Sequence, residues 1–447
     1  MSKSDSMPNI SESVRSSKRN WEVIRSKIGL EAVGTSADDT MRRSASTLSV
    51  NTTASSPGIQ SLRISTARHK NFLVGQKQSH SSVMGATELD RTFPDRNINI
   101  FVGTWNIYEL KKLDDSIEDF ILPKSLEFVP DMFVITTQEN ELDRREWELT
   151  LQETVGPSHV VYHSVQHGTL HIAVLMKREL IWYCSVPESD TVTVRVFKQI
   201  RTKGAVALSF TMFGTSFVFI GSHFKSDEGN GKARVSDYNT INKTLKLPRA
   251  VVDNPLQQTP PLASLRFDCV FWAGDLNFRI NKDRESVIKM IKSVQLKDHP
   301  NYEPLLEHEE LTRGMANGEI FEDFQEGQIN FPPTYKFDPG TDVYDTTAKC
   351  RIPSYTDRIL FKSKRKHGIV CKKYLSAPEV NCSDHKPVYA LYQVNLKPGR
   401  DTIPLSGGQF RRDVYIEASK RRALRRVAAN LKSPSQLTSK SSICVIC

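Results

Sequence analysis

Nine short runs rich in β-branched and aromatic residues recur between residues 98 and 394, and most of them abut polar side chains of a narrow chemical range. The runs are 98–105, 131–137, 171–176, 191–200, 207–213, 216–224, 267–273, 358–361 and 387–394. Each has the length and composition of a strand. Helix-compatible segments stand between several of them, at 114–122, 144–154, 232–245 and 284–294. The spacing is too irregular for a repeat architecture. Strands interspersed with helices over this length predict one α/β domain with a large two-sheet core.

The run 267–273 shows what happens at a strand end. Cys269 to Ala273 is apolar enough to be buried on both faces, Gly274 closes the strand, and Asp275, Asn277 and Arg279 follow in alternation. A carboxylate that can hold water, an amide and a fixed cation suit chemistry on a phosphate ester. Alone, the stretch reads more readily as a β-turn. Trp105-Asn106, Gln138-Glu139-Asn140 and Ser222-His223-Phe224 end other runs, however, and Ser383-Asp384-His385 precedes the last. So many polar sets at strand ends exceed what capping needs. Carboxylates, amides and imidazoles without thiolates suit a hard cation such as Mg²⁺. The histidines lack the HxH or HxxxH spacing of a zinc site.

A second polar cluster precedes 353–360. Tyr335 and Lys336 in Pro333-Thr-Tyr-Lys-Phe337, and Lys349 and Arg351 after them, would by themselves be a solvated basic loop.

Charge divides the chain of 447 residues into three. Residues 96–399 are nearly neutral, with 38 Lys and Arg against 39 Asp and Glu. Residues 1–95 carry 13 against 9, and 400–447 carry 10 against 3. The first segment is Ser- and Thr-rich without periodicity and is expected to be a disordered tail. In the last, Leu424, Val427, Ala428 and Leu431 fall at helical spacing among Lys420, Arg421, Arg422, Arg425 and Arg426. The like-charge pairs Arg421/Arg425 and Arg422/Arg426 are destabilising unless an anionic surface lies nearby. The ending Cys444-Val-Ile-Cys447 reads as a C-a-a-X signal, so Cys444 is expected to be prenylated, with farnesyl favoured. One lipid and a basic segment together make a membrane anchor. With no apolar leader, no run of 18 apolar residues and scattered cysteines, the expected location is the cytoplasmic face of membranes.

TWN (104–106), QEN (138–140), SHF (222–224), GDLNFR (274–279), PSYTDRIL (353–360) and SDHKPV (383–388) together resemble the inositol polyphosphate 5-phosphatases. That family lies within the Mg²⁺-dependent endonuclease/exonuclease/phosphatase superfamily, and the likeness spans about 98–397. It implies a four-layer α/β sandwich, two packed mixed β-sheets flanked by helices, with the active site at one end. The resemblance implies Mg²⁺ on Glu139 with Asn106 beside it, and a water held and activated by Asp275 and Asn277. It implies that His385, paired with Asp357 or Asp384, contacts the transferring phosphoryl group. His223 would be a second phosphate contact or a proton donor. Tyr335, Lys336, Lys349 and Arg351 would grip a neighbouring 4-phosphate, with Arg279 and Arg358 as further substrate contacts. The implied reaction is Mg²⁺-dependent removal of the 5-phosphate from phosphatidylinositol 4,5-bisphosphate and 3,4,5-trisphosphate, with no nucleic-acid partner. DRREWE (143–148), TKGA (202–205) and FGTSF (213–217), with the C-a-a-X ending, resemble lipid-anchored members and imply the cilium, its cytoskeleton and the Golgi. A Mg²⁺-dependent nuclease of the same superfamily and a lipid-anchored phosphoinositide-binding scaffold are the alternatives. The chain departs from the family pattern at Ile107-Tyr108-Glu109, at Phe278 and at Ser354-Tyr355-Thr356.

Overall fold

Alternation along a strand sends successive side chains to opposite faces, and here both faces are apolar, so every central strand must be covered twice. In β1 (Asn97–Asn106), Ile98, Ile100 and Val102 enter one buried cluster while Phe101 and Trp105 enter another. In β8 (Cys269–Asp275), Cys269, Phe271 and Ala273 share the first cluster, and Val270 and Trp272 join a third. The result is two sheets face to face over a common core, with a helical layer outside each.

The computed structural model describes residues 83–111, 116–194, 202–249, 260–297, 300–400 and 403–432. The Ser-rich segment before residue 83 and Cys444 with its C-a-a-X ending lie outside them. The remaining strands are β2 (Met132–Gln138), β3 (His159–His167), β4 (Leu170–Lys177), β5 (Glu188–Thr193), β6 (Gly204–Met212), β7 (Thr215–His223), β9 (Gln325–Glu326), β10 (Asp357–Ser363), β11 (Ile369–Ser376) and β12 (Val388–Asn395). One sheet has the order β11-β12-β1-β2-β4-β3 and the other β5-β6-β7-β8-β10-β9. Each holds a single parallel pair at its centre, β1 with β2 and β7 with β8, and is otherwise antiparallel. This is the expected sandwich of two mixed sheets.

The helices are α1 (Ala86–Thr92), α2 (Ile117–Ile121), α3 (Arg144–Val155), α4 (Gly231–Thr244), α5 (Arg284–Gln295), α6 (Glu303–Leu306), α7 (Glu310–Ala316) and α8 (Arg412–Lys432). Asp143 caps α3 by accepting from the Arg145 and Glu146 amides, and Asp283 caps α5 from the Ser286 amide. α2, α3 and α8 cover the first sheet through Phe120, Trp147, Leu151, Val414 and Ala418. α4 covers the second, with the Tyr238 and Trp272 ring centroids 5.0 Å apart. Packing continues past residues 96–399 at both ends, since Leu89 and Phe93 enter the central core and Val414 and Ala418 the outer one. Among the described residues no helix is long and apolar enough to cross a membrane.

The basic residues of α8 find their anionic surface within the molecule. Arg421 bridges Glu146 at 2.9 Å and Glu153 at 3.6 Å, Arg425 reaches Glu153 at 3.0 Å, and Arg422 donates to the Glu153 carbonyl. Leu424 and Val427 face outward.

Candidate active site

The C-terminal ends of the two parallel pairs meet. Register sets Asn106 beside Gln138 in one sheet and His223 beside Asp275 in the other. The sheets are joined there by Asn106 Nδ2, which donates to Asp275 Oδ2 at 3.0 Å. Glu139, one residue beyond this strand-end layer, and Asn277, two residues beyond it, adopt left-handed φ values of 51° and 59°. Such backbone costs non-glycine residues free energy and is concentrated at functional sites.

Asp275 is the hub. His223 Nε2 lies 3.1 Å from its Oδ2, His385 Nε2 lies 3.9 Å away, and the Asn277 amide donates to Oδ1 at 3.1 Å. Burial alone would push its carboxyl upward, but His223, His385 and Lys203 outweigh burial and hold it well below the usual carboxylate range. Asp275 is therefore an anion at any working pH. Asn277 Oδ1 accepts from Arg279 Nη2 at 2.6 Å, and the Arg279 guanidinium lies 4.6 Å from the centre of the Tyr335 ring.

His385 is oriented by Asp357. Its Nδ1 is 2.9 Å from Asp357 Oδ2, which also accepts from the hydroxyls of Thr334 and Thr356, whereas Asp384 Oδ1 stands 3.8 Å from Nε2. Burial opposes charging this ring, yet Asp357, Asp384 and Asp275 together raise it to about 9. His385 is an imidazolium at neutral pH. His223 is the opposite case: burial, helped by Lys203, lowers it to about 4, so its ring is neutral. A neutral ring can contact phosphate through one N–H. Asp384 is pushed up to about 6, first by burial and then by Glu139 and Asp275.

Asn106, Glu139, His223, Asp275, Asn277, Arg279, Asp384 and His385 line a cleft of 710 Å³, together with Tyr335, Lys336, Lys349 and Arg351 from the loop before β10. The Tyr335 ring packs on His385 with centroids 4.5 Å apart. Arg351 is already paired, 2.8 Å from Asp227 and 3.6 Å from Glu228, so an anionic ligand must compete with those carboxylates. Lys203 was absent from the sequence expectations. It lies buried against His223 Nε2, because Gly204 pairs with His223 across β6 and β7. The motif TKGA carried the signal, since it places a cation just before a strand whose partner ends in histidine.

Arg358 is a correction. Strand alternation turns it away from the side on which its neighbour Asp357 meets His385, into a buried pocket where it meets Glu309 at 3.0 Å and Glu326 at 2.6 Å. It holds the fold and lines no part of the cleft.

The donor set fits a hard divalent cation. Glu139 supplies a buried carboxylate and Asn106 an amide oxygen, and the residues lining the cleft include no cysteine. Among the described residues no group of three or more His, Cys, Asp or Glu forms a ready-made metal cage. Mg²⁺-type sites do not need one, because one or two carboxylates suffice when water and substrate phosphate complete the shell.

Residues 103–391 match the family described as Endonuclease/Exonuclease/phosphatase family 2. The chain is 45% identical over 386 residues to a phosphatidylinositol polyphosphate 5-phosphatase type IV of Mus musculus, covering 86% of this chain and 59% of that relative. It is 32% identical over 322 residues to a phosphatidylinositol 4,5-bisphosphate 5-phosphatase of Saccharomyces cerevisiae, covering 68% of this chain and 32% of that one. The chain thus spans about three fifths of the first relative's length and about a third of the second's. Among solved structures it is similar to the inositol polyphosphate 5-phosphatase domain of SPsynaptojanin, in complex with inositol (1,4)-bisphosphate and a calcium ion. The TM-score is 0.59 at 28% identity, over 77% of this chain and 98% of that one.

Proposed function

Because the chain belongs to the endonuclease/exonuclease/phosphatase family 2, we propose that it hydrolyses the 5-phosphate of membrane phosphoinositides, phosphatidylinositol 4,5-bisphosphate and 3,4,5-trisphosphate, with Mg²⁺. The observation that carries this reading is that one cleft joins the Asp275–His385 centre to Tyr335, Lys336, Lys349 and Arg351. A centre for phosphate hydrolysis flanked by further cations suits a ring bearing a second phosphate beside the scissile one. Nuclease chemistry has no need of that second grip.

Asp275, kept anionic, accepts a hydrogen bond from the attacking water, and Asn277 fixes its direction in line with the phosphorus. The His385 imidazolium, held by Asp357, meets the charge that builds on the phosphoryl oxygens, and Lys203 adds a second cation from the His223 side. Mg²⁺, held by Glu139 with Asn106 beside it, would neutralise phosphate charge and the leaving oxygen. Recruitment to the cytoplasmic face of membranes, including those of the cilium and Golgi, belongs to the same proposal, because the substrate is a lipid.

Phosphate release from vesicles carrying each phosphoinositide in turn, with Mg²⁺ or EDTA, tests it. Release confined to 5-phosphorylated lipids and lost in EDTA is expected. Lys336→Ala should slow lipids with a 4-phosphate more than those without it. Asp275→Asn should lower turnover by about 10²- to 10⁴-fold while the protein stays folded by circular dichroism. Cleavage of DNA without phosphoinositide turnover would favour the nuclease alternative.

A further inference from the structure

Behind the cleft lies a second cavity of 510 Å³, and the two share a wall. The wall is a short ribbon in which the Lys386 amide donates to the Thr334 carbonyl at 2.9 Å and the Phe337 amide to the Asp384 carbonyl at 2.9 Å. Tyr335, Lys336, Asp384 and His385 line the catalytic cleft, while Phe337 and Lys386 line the cavity on the other side. Across that cavity stands one face of α5, where Arg284, Ile288, Ile291 and Lys292 follow helical spacing.

We propose that this cavity binds an amphipathic organic anion of the fatty-acyl carboxylate class, and that its occupancy tunes the cleft through the shared ribbon. Ile288, Ile291, Phe337 and Val343 offer the apolar body of such a ligand its walls, and the volume falls within the roughly 300–1,000 Å³ of small-molecule sites. The charges select the head. Arg284, Lys292 and Lys386 face the cavity against Asp342 alone. Lys386 Nζ is committed to Asp342 at 2.7 Å and to the Pro378 carbonyl at 2.8 Å. That leaves the excess positive charge on α5. Arg284 Nη2 donates to the Asp345 carbonyl at 2.8 Å, but its Nε is buried with no hydrogen-bond partner. The guanidinium and Lys292 together supply the positive charge that a carboxylate head pairs with. Lys292, two turns on, is exposed at the same face.

The route to the cleft is short. Arg284 holds the backbone at Asp345, whose carboxylate accepts from the Arg351 amide at 2.8 Å, and Phe337 adjoins Lys336. A ligand that engages Arg284 and fills the space against Phe337 stiffens the loop that presents the cleft's cations. This coupling rests on the phosphatase reading; the binding itself does not.

The test titrates sodium dodecanoate, below its micelle concentration, into the full chain by isothermal calorimetry, with dodecyltrimethylammonium as the cationic control. Saturable binding of the carboxylate and none of the ammonium is expected. Ile288→Trp, which fills the cavity, should abolish it. Arg284→Gln should weaken it by about tenfold, the loss of one charge-assisted hydrogen bond. Lys292→Glu, at an exposed position that spares the fold, should weaken it as well. No binding, equal binding of both amphiphiles, or binding indifferent to Ile288→Trp and Lys292→Glu overturns the site. Turnover of soluble inositol 1,4,5-trisphosphate, which has no acyl chain of its own, is then followed with and without dodecanoate. A change in KM in the wild type that Ile288→Trp lacks is expected. Binding with unchanged KM in an active enzyme refutes the coupling, whereas binding by a protein that hydrolyses no inositol phosphate refutes the reaction and spares the site.

Discussion

Two neighbouring residues on β10 show how one step along a strand separates chemistry from architecture. Asp357 sits under His385, and with Asp384 and Asp275 it keeps that ring charged against the burial that would discharge it. A histidine raised from 6.5 to about 9 stabilises the fold fully below 6.5 and loses that contribution as pH rises through about 9. If His385 must be charged to meet the phosphoryl group, kcat/KM falls on the alkaline side over the same range. Asp357→Asn should move that limb toward lower pH, and a pH profile of both proteins measures it; an unmoved limb would assign the titration to another group. Arg358 faces the other way, and of its two carboxylate partners Glu309 is fully buried and Glu326 largely so. Glu309 also caps α7, accepting from the Leu311 and Thr312 amides. Arg358→Leu strands both anions, so it should cost about 3–5 kcal/mol in urea unfolding while leaving KM of the surviving folded enzyme unchanged. The sequence showed that 357–358 mattered, but not which residue met His385, because register and side are fixed only once β10 pairs with β8. Lys203 went unseen for a related reason: its closeness to His223 is a cross-strand contact, invisible along the chain.

The strands that the sequence revealed are the central ones, and those it hid are at the edges. β3, β9 and β11 end their sheets. β11 buries only Ile369 and Tyr374 and carries Lys372 and Lys373, β3 breaks its apolar run at His163 and Ser164, and β9 has two residues. An edge strand is half relieved of the demand for apolar side chains, and charge there protects against pairing with another chain. β5, the fourth edge, covers Glu188–Thr193, so it begins before the 191–200 run, of which 195–200 lie outside the described residues. The helices behave likewise. α8 leaves Leu424 and Val427 exposed, and the side chains its described part buries are Val414 and Ala418, a turn or more earlier, because these meet α3. Its arginine pairs with α3 are numerous but partly exposed. Arg421 retains 35% of its side-chain exposure and Glu146 53%, so Arg421→Ala should cost only about 0.2–1 kcal/mol. Val414 is fully buried, and Val414→Ala should cost about 1–3 kcal/mol through the lost methyls and the cavity left behind. Urea denaturation of the two variants would rank packing against charge at this joint. If Arg421→Ala proved the more costly, α8 would be held by its ion pairs.

Across the whole molecule, charge and fold are divided differently. Residues 96–399 are close to neutral, and the surplus cations lie outside them. Composition alone therefore suggests a strongly attracted C-terminal segment. The structure reduces that estimate: Arg421, Arg422 and Arg425 are turned onto α3, and Arg411 meets Glu148 at 3.0 Å. What α8 offers outward is Lys420 and Arg426 beside Leu424 and Val427, which are 70% and 57% exposed. Each cation near an anionic bilayer contributes about 1 kcal/mol, and screening removes it as the Debye length falls from ~10 Å at 0.1 M salt to ~3 Å at 1 M. The unlipidated protein should thus sediment weakly with vesicles containing phosphatidylserine, not with phosphatidylcholine alone, and be released as salt rises between those limits. Release by salt makes charge the carrier of the contact. Retention at high salt would transfer that role to Leu424 and Val427, and replacing both with Ser should then abolish it.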